Sequence, residues 1–287
     1  MSMALKAKLR GAVQIIRPEL PLAAGMCVVI GQFLGLGSAP SVGALALGVL
    51  CGFLLSGSAM ATNDYFDLDV DRVNAPWRPL PAGLLSPREA MGLGIVAGAL
   101  GLAAAWALSP VAFGAALLVW VLGFLYNWRL KATGLLGNLI VGISVAMTFV
   151  IGGIGVDQPW NGKVWLFGLI ALVFDLAEEV AGDAMDAEGD QLRGSRSVAL
   201  VWGKRRALAL SAALFGVVIV LSWIPMLAGE YGLSYSVPIL VMDGLMVVFV
   251  AKLLRSRTPH EGRWAMRALY ISASLGLLAF LVSSLKG

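Results

Sequence analysis

The chain is poor in charge. Asp, Glu, Lys and Arg make up 13% of its 287 residues, roughly half the share usual in soluble domains. Thiols and imidazoles are scarcer still, with two cysteines, Cys27 and Cys51, and one histidine, His260. Two cysteines in separate apolar runs exclude a disulfide framework and a cysteine-rich zinc site. The lone histidine lies in the polar run RSRTPHEGR and reads as a solvated loop residue. What remains is 59% hydrophobic, with a mean hydropathy of +0.85. That balance excludes an ordinary soluble globule and points to a polytopic membrane protein.

Membrane-spanning helices need about 20 mostly apolar residues. On that rule the sequence predicts an all-α membrane protein with nine spans, near 19–37, 41–62, 88–107, 109–127, 135–154, 163–182, 206–228, 234–253 and 265–285. The basic start, with Lys6, Lys8, Arg10 and Arg17, resembles a signal peptide, but the apolar run after it is too long and has no clear cleavage site. With the N-terminus inside, every Lys and Arg except Lys163 and Lys286 falls on the inner side, as the positive-inside rule requires. The expected setting is the cell membrane, with the N-terminus cytoplasmic and the whole of 1–287 forming one integral-membrane domain. Glycine is abundant, 35 residues, and Gly94, Gly98 and Gly101 form a small-residue stripe suited to close helix packing.

Against this oily background stand two acidic runs. The first is NDYFDLDVDRVNAPWRPLPAG, from Asn63 to Gly83; the second is DAMDAEGDQLRGSR, from Asp183 to Arg196. Asn63, Asp67 and Asp71 are spaced i, i+4, i+8 and share one face of a helix; Asp183, Asp186 and Asp190 form a similar ladder. Like charges at such spacing destabilise a helix unless cations sit between them. Oxygen ligands without His or Cys point to a hard ion, Mg2+ or Mn2+. Both runs fall on the cytoplasmic side of the predicted topology, where they would face one another across a single site. Arg72 and Arg78 follow the first run and Arg193 and Arg196 the second, a residue type that binds phosphate through a planar fork. Arg17, Tyr126, Arg129 and Lys131 lie at the same inner level, although the basic ones also satisfy the positive-inside rule. Asp69 and Glu188 read as solvated. Asp175 and Asp243 fall inside spans, where a carboxylate is a functional suspect by default.

The NDYFDLDVD and DAMDAEGD segments resemble the two aspartate-rich motifs of the UbiA superfamily of intramembrane prenyltransferases, NDxxDxxxD and DxxDxxxD. YNWRLKATGLLGN resembles the loop that family places between them. The resemblance covers the whole chain and implies a nine-helix bundle with a cytoplasm-facing cavity. It implies Mg2+-dependent transfer of a prenyl group, geranylgeranyl first, from a prenyl diphosphate to a lipophilic acceptor. Metal would be held by Asn63, Asp67, Asp71, Asp183, Asp186 and Asp190. Arg78, Tyr126 and Lys131 would assist at the diphosphate, with Asn63, Arg17, Arg72 and Arg193 binding substrate. The partners implied are the two substrates and membrane lipid, with no nucleic acid. GSRSVALVWGK and GNLIVG resemble the branch of digeranylgeranylglyceryl phosphate synthases, which act on a glycerol phosphate lipid. NAPWRPLPAG is equally similar to enzymes with aromatic or tetrapyrrole acceptors. Where the lipid synthases usually read REIxKD, this chain has Glu178, Glu179, Val180, Ala181, Gly182 and Asp183. The missing Arg and Lys weigh against a phosphorylated acceptor. A cation- or proton-coupled transporter is the rival from another class, but transporters place their charges near the bilayer midplane.

Overall fold

The computed structural model describes residues 3–192, 194–229 and 232–284, without the side chains of 3, 4, 74, 188–190, 192, 234 and 282–284. The described residues are helical apart from turns and loops: α1 (Met3–Ile16), α2 (Glu19–Leu36), α3 (Val42–Phe66), α4 (Leu68–Asn74), α5 (Pro87–Leu108), α6 (Pro110–Leu125), α7 (Leu135–Ile154), α8 (Gly162–Leu192), α9 (Val198–Trp202), α10 (Lys204–Ser222), α11 (Ile224–Leu227), α12 (Leu233–Leu254) and α13 (Pro259–Ser284). Among the described residues, eight stretches are long and apolar enough to cross a membrane: α2, α3, α5, α6 with the turns after it, α7, α10 with α11, α12 and α13. The chain is an integral membrane protein. The remaining predicted span, 163–182, lies in α8, which is long enough at 31 residues. However, every 18-residue stretch of α8 contains Asp175, Glu178 and Glu179, so it is not apolar enough by the same measure.

The helices divide into two compact units. The first comprises Met1–Leu36, Pro40–Leu130 and Met147–Val164; the second comprises Gly37–Ala39, Lys131–Ala146 and Trp165–Gly287.

In the first unit the small-residue stripe of α5 receives α3. A Cβ on Gly94 would press on Thr62, one on Gly98 on Trp120, and one on Gly101 on Leu55. The close approach lets Ser58 Oγ donate to the Gly94 carbonyl at 2.6 Å and accept from Trp120 Nε1 at 2.9 Å. Such bonds satisfy polar groups that lipid cannot. A second contact fixes the end of this unit that bears charge. Ile15 of α1, Ala61 of α3, Leu80 and Leu85 of the following loop and Ala90 of α5 form one buried cluster, flanked by Ile16, Leu68 and Leu93. It pins both α1 and the proline-containing loop against α3.

The second unit is built around α8. Ser211 of α10 donates to the Ala177 carbonyl at 2.7 Å, and Phe174 meets Phe215 edge to face at 5.4 Å. The N-terminal turn of α13 packs at Gly262 on Met185 of α8.

Candidate active site

The first acidic run sits at a helix break. α3 stops at Phe66, Asp67 caps it, and α4 begins at Leu68. The break is partial, because Asp67, Asp71 and Ala75 donate their N–H groups to the carbonyls of Asn63, Asp67 and Asp71 at 2.9, 2.8 and 2.9 Å. The expected shared face of Asn63, Asp67 and Asp71 is therefore kept. Asp64, Asp67 and Asp71 are all buried.

Two arginines converge on these acids from different parts of the unit. Arg17 bonds Asp64 Oδ1 through Nη2. Arg78 Nη1 donates to both Asp71 oxygens at 2.8 and 2.7 Å and lies 3.7 Å from Asp64 Oδ1. The buried apolar cluster explains both positions, since Ile15 and Ile16 precede Arg17 and Leu80 follows Arg78 by two residues. Arg17 has φ 51°, a left-handed backbone that costs a non-glycine residue on the order of 1 kcal/mol or more. This break between α1 and α2 turns its side chain toward Asp64. Burial opposes the Arg78 charge, but the bonded Asp71 carboxylate, with Asp64 and Asp67 nearby, outweighs it and raises the pKa above the ordinary arginine value. The other oxygen of Asp64 is shut off from solvent with no hydrogen-bond partner. An orphaned buried oxygen of this kind is costly and calls for a ligand.

Asn63 is oriented from α6. The helix ends in a π-turn over Tyr126–Leu130, followed by a 3-10 turn over Lys131–Thr133. Asn127 in that π-turn accepts from Asn63 Nδ2 at 3.0 Å and donates to Thr62 Oγ1 at 3.2 Å. Tyr126 is half-buried in the π-turn, and half-buried Lys131 opens the 3-10 turn. The structure does not bring Arg72 or Arg129 to the acids. Arg72 bonds exposed Asp69 at 2.8 Å, and the Arg129 guanidinium lies over the Trp128 ring at 4.5 Å. Tyr65 and Phe66 pair edge to face at 5.2 Å, and Phe66 and Phe124 at 5.4 Å.

The second acidic run lies on one unbroken helix, α8. Asp183 accepts from Asn138 Nδ2 at 2.9 Å, and Asn138 is buried on α7. Asp186 bonds Arg263 of α13, both more than half exposed. Gly262 permits this pairing by letting α13 reach Met185. The segment after the motif is fastened to the loop carrying Lys131 by Arg196 N–H donating to the Ala132 carbonyl at 3.0 Å. Gly134 sits in that seam with φ 70°, where a Cβ would collide with the Arg196 carbonyl. The Asp190 side chain and Arg193 lie outside the described residues. Deeper along α8, Asp175 and Glu179 continue the face of Asp183, and one Asp175 oxygen is buried without a hydrogen-bond partner.

Asn138 and Arg263 were missed by sequence reasoning as partners of the second motif. Asn138 stands in GNLIVG, where a polar residue in an apolar run was a usable signal. Arg263 was hidden among other inner-side cations. Asp243 also has partners that no spacing revealed: Trp223 Nε1 donates to it at 2.8 Å and Ser222 Oγ at 3.2 Å. These bonds tie α12 to the break between α10 and α11.

Among the described residues, no three His, Cys, Asp or Glu side chains converge as a ready-made metal site. In the first unit, Arg78 lies between Asp64 and Asp71. The donors nevertheless suit magnesium, which usually takes one or two carboxylates and completes its shell with water and substrate phosphate. Buried Asp67 and Asp71, with the orphaned oxygen of Asp64, supply hard oxygens.

The arrangement is an acid-rich, arginine-lined head on apolar helices, and comparison with known proteins places it. The family model for the UbiA prenyltransferase family matches residues 24–282. The chain belongs to that family and is a membrane prenyltransferase. It is 35% identical to digeranylgeranylglyceryl phosphate synthase of Thermococcus gammatolerans over 97% of this chain and 99% of the relative. A solved structure concerned with digeranylgeranylglyceryl phosphate synthase in membranes matches with TM-score 0.75 and 26% identity, covering 98% of this chain and 99% of the other. A UbiA homolog from Archaeoglobus fulgidus, solved bound to GPP and Mg2+, shares the fold with TM-score 0.72 at 20% identity, over 96% of this chain and all of that one.

Proposed function

We propose that the protein transfers a geranylgeranyl group from its diphosphate to a hydroxyl of a lipophilic acceptor, with geranylgeranylglyceryl phosphate the first acceptor to test. The observation that carries this reading is the convergence of Arg17 and Arg78 on buried Asp64, beside Asp67 and Asp71. Guanidinium groups held at the head of apolar helices are suited to a diphosphate whose tail lies among those helices. The relative from Thermococcus gammatolerans, similar over nearly its whole length, and the Archaeoglobus fulgidus homolog bound to GPP and Mg2+ support it. In this reading 1–287 is one membrane domain of nine spans, with α8 the ninth. The N-terminus is cytoplasmic, and the two acidic motifs face one another across a cytoplasm-facing cavity.

Asn63, Asp67 and Asp71 would hold magnesium from one side, and Asp183, Asp186 and Asp190 from the other. Bound magnesium supplies neutralisation of charge on the departing diphosphate. Arg17 and Arg78 exchange carboxylate oxygens for diphosphate oxygens, and Tyr126 and Lys131 extend that contact. The C–O bond to the diphosphate breaks, the acceptor oxygen forms the new C–O bond, and its proton leaves. The apolar helices keep water from the allylic cation. Arg193 remains a proposed substrate contact, whereas Arg72 bonded to Asp69 is the weakest member of the set.

A second reading, an aromatic acceptor, rests on the carboxylates of Glu178 and Glu179 and on Gly182, with no base at those positions of α8. The test supplies purified protein with geranylgeranyl diphosphate, magnesium and a panel of glycerol phosphate lipids, phenols and quinone precursors, read by mass spectrometry. Prenylated glycerol phosphate lipid supports the first reading. Product from phenols alone replaces it with the second, and no magnesium-dependent diphosphate release with any acceptor overturns both.

A further inference from the structure

At the turn joining α12 to α13 the structure holds a cavity of about 420 Å³, lined by Lys252, Arg255, Ser256, His260, Glu261 and Trp264. This volume is in the range of small-molecule sites, about 300–1,000 Å³. It lies where two candidate membrane spans, Tyr235–Leu254 and Pro259–Leu281, adjoin, and the ends of such spans fall at the bilayer interface. The Lys252 ammonium is held by ring faces, 4.9 Å from the Trp264 centroid and 5.4 Å from that of Phe249. Cation–π contact positions the charge without neutralising it. Lys252, Arg255 and His260 make no ion pair among the described residues. The hydroxyl of Ser256 is shut away from solvent with no hydrogen-bond partner. The carboxylate in the wall, Glu261, is spent on capping α13: it accepts from Arg257 N–H at 2.8 Å, while its own N–H donates to Thr258 Oγ1 at 3.2 Å. Trp264 is half-exposed, as an aromatic anchor at a bilayer surface is.

We propose that this cavity binds the phosphate of an anionic membrane lipid, with Lys252 and Arg255 on the phosphate oxygens and Ser256 as an added donor. Basic pockets between membrane helices take such headgroups. Positive-inside bias explains cations at this end of the helices, but not a concave site with an unspent buried hydroxyl.

The test is native mass spectrometry of the full-length protein in detergent, titrated with phosphatidylglycerol or phosphatidylcholine. Wild type should prefer phosphatidylglycerol. Arg255→Ala and Lys252→Ala should each weaken that binding about fivefold to tenfold. Arg257→Ala removes the same charge from the same turn outside the cavity lining and should change it less than about twofold. Arg255→Gln serves if the alanine variant is unstable. Equal losses for Arg255→Ala and Arg257→Ala would reduce the site to diffuse charge and overturn the proposal, as would equal affinity for the two lipids. Retention of lipid against millimolar glycerol phosphate supports a lipid occupant; displacement assigns the cavity to a soluble phosphate ester and overturns the lipid assignment. Every readout is lipid binding, independent of transferase activity.

Discussion

The first acidic motif sits at a break between two helices, whereas the second runs along one continuous helix. In the first, three carboxylates are buried and two arginines reach them from loops pinned by an apolar cluster. In the second, Asp186 and its partner Arg263 are mostly exposed, and Asn138 is among the groups bonded to Asp183. Similar spacing in sequence therefore supports two different electrostatic settings. A buried ion pair leaves a costly charge behind when one partner goes, while an exposed pair is worth ~1 kcal/mol or less. The first motif is built as a charge-balanced clamp, whereas the exposed Asp186–Arg263 pair of the second can change partners cheaply.

The largest expected effect treats both motifs alike. Asp67→Ala and Asp186→Ala should each lower magnesium-dependent prenyl transfer by at least about a hundredfold, measured on membrane-inserted protein. Undiminished turnover in either variant removes that motif from the site. The contrast emerges on removing the cations. Arg78→Ala should cost about 2–3 kcal/mol of stability, below the fully buried range because Arg78 is 32% exposed. Arg263→Ala should cost less than about 1 kcal/mol. Thermal unfolding in detergent compares the two, and equal losses would erase the distinction between the motifs. Gly134→Ala should then destabilise the second unit by about 1–3 kcal/mol, through a left-handed backbone and a collision with the Arg196 carbonyl. Protection of 194–197 by hydrogen exchange reports it. The smallest effect belongs to Arg72→Ala. Its exposed pairing with Asp69 predicts a stability change within about 0.5 kcal/mol and turnover near wild type.

Much of this was legible in the chain because its causes are local. Apolar run length marks spans, so eight of the nine predicted stretches correspond to helices apolar enough to cross a membrane. The exception, α8, carries its acids inside the stretch, and length and composition then disagree. Glycine spacing foretold close packing on α5, though not that α3 is the partner, and i, i+4 spacing foretold the shared face of Asn63, Asp67 and Asp71. Asp64 stands three residues before Asp67 in the same run. In the structure it is where Arg17 and Arg78 meet, through contacts 47 and 14 residues apart in the chain. No helical period encodes such a distance.

The sequence by itself determined the membrane-helical class, the two acidic motifs and the family, because composition and short-range spacing carry them. Only the tertiary structure decided which cation meets which acid. It gave Arg17 and Arg78 to the first motif and Arg263 to the second, and it turned Arg72 toward Asp69. The reason is physical: a long, charged side chain has no preferred partner until packing fixes where its backbone stands. Here the apolar cluster around Ile15 and the approach of Gly262 to Met185 make that choice.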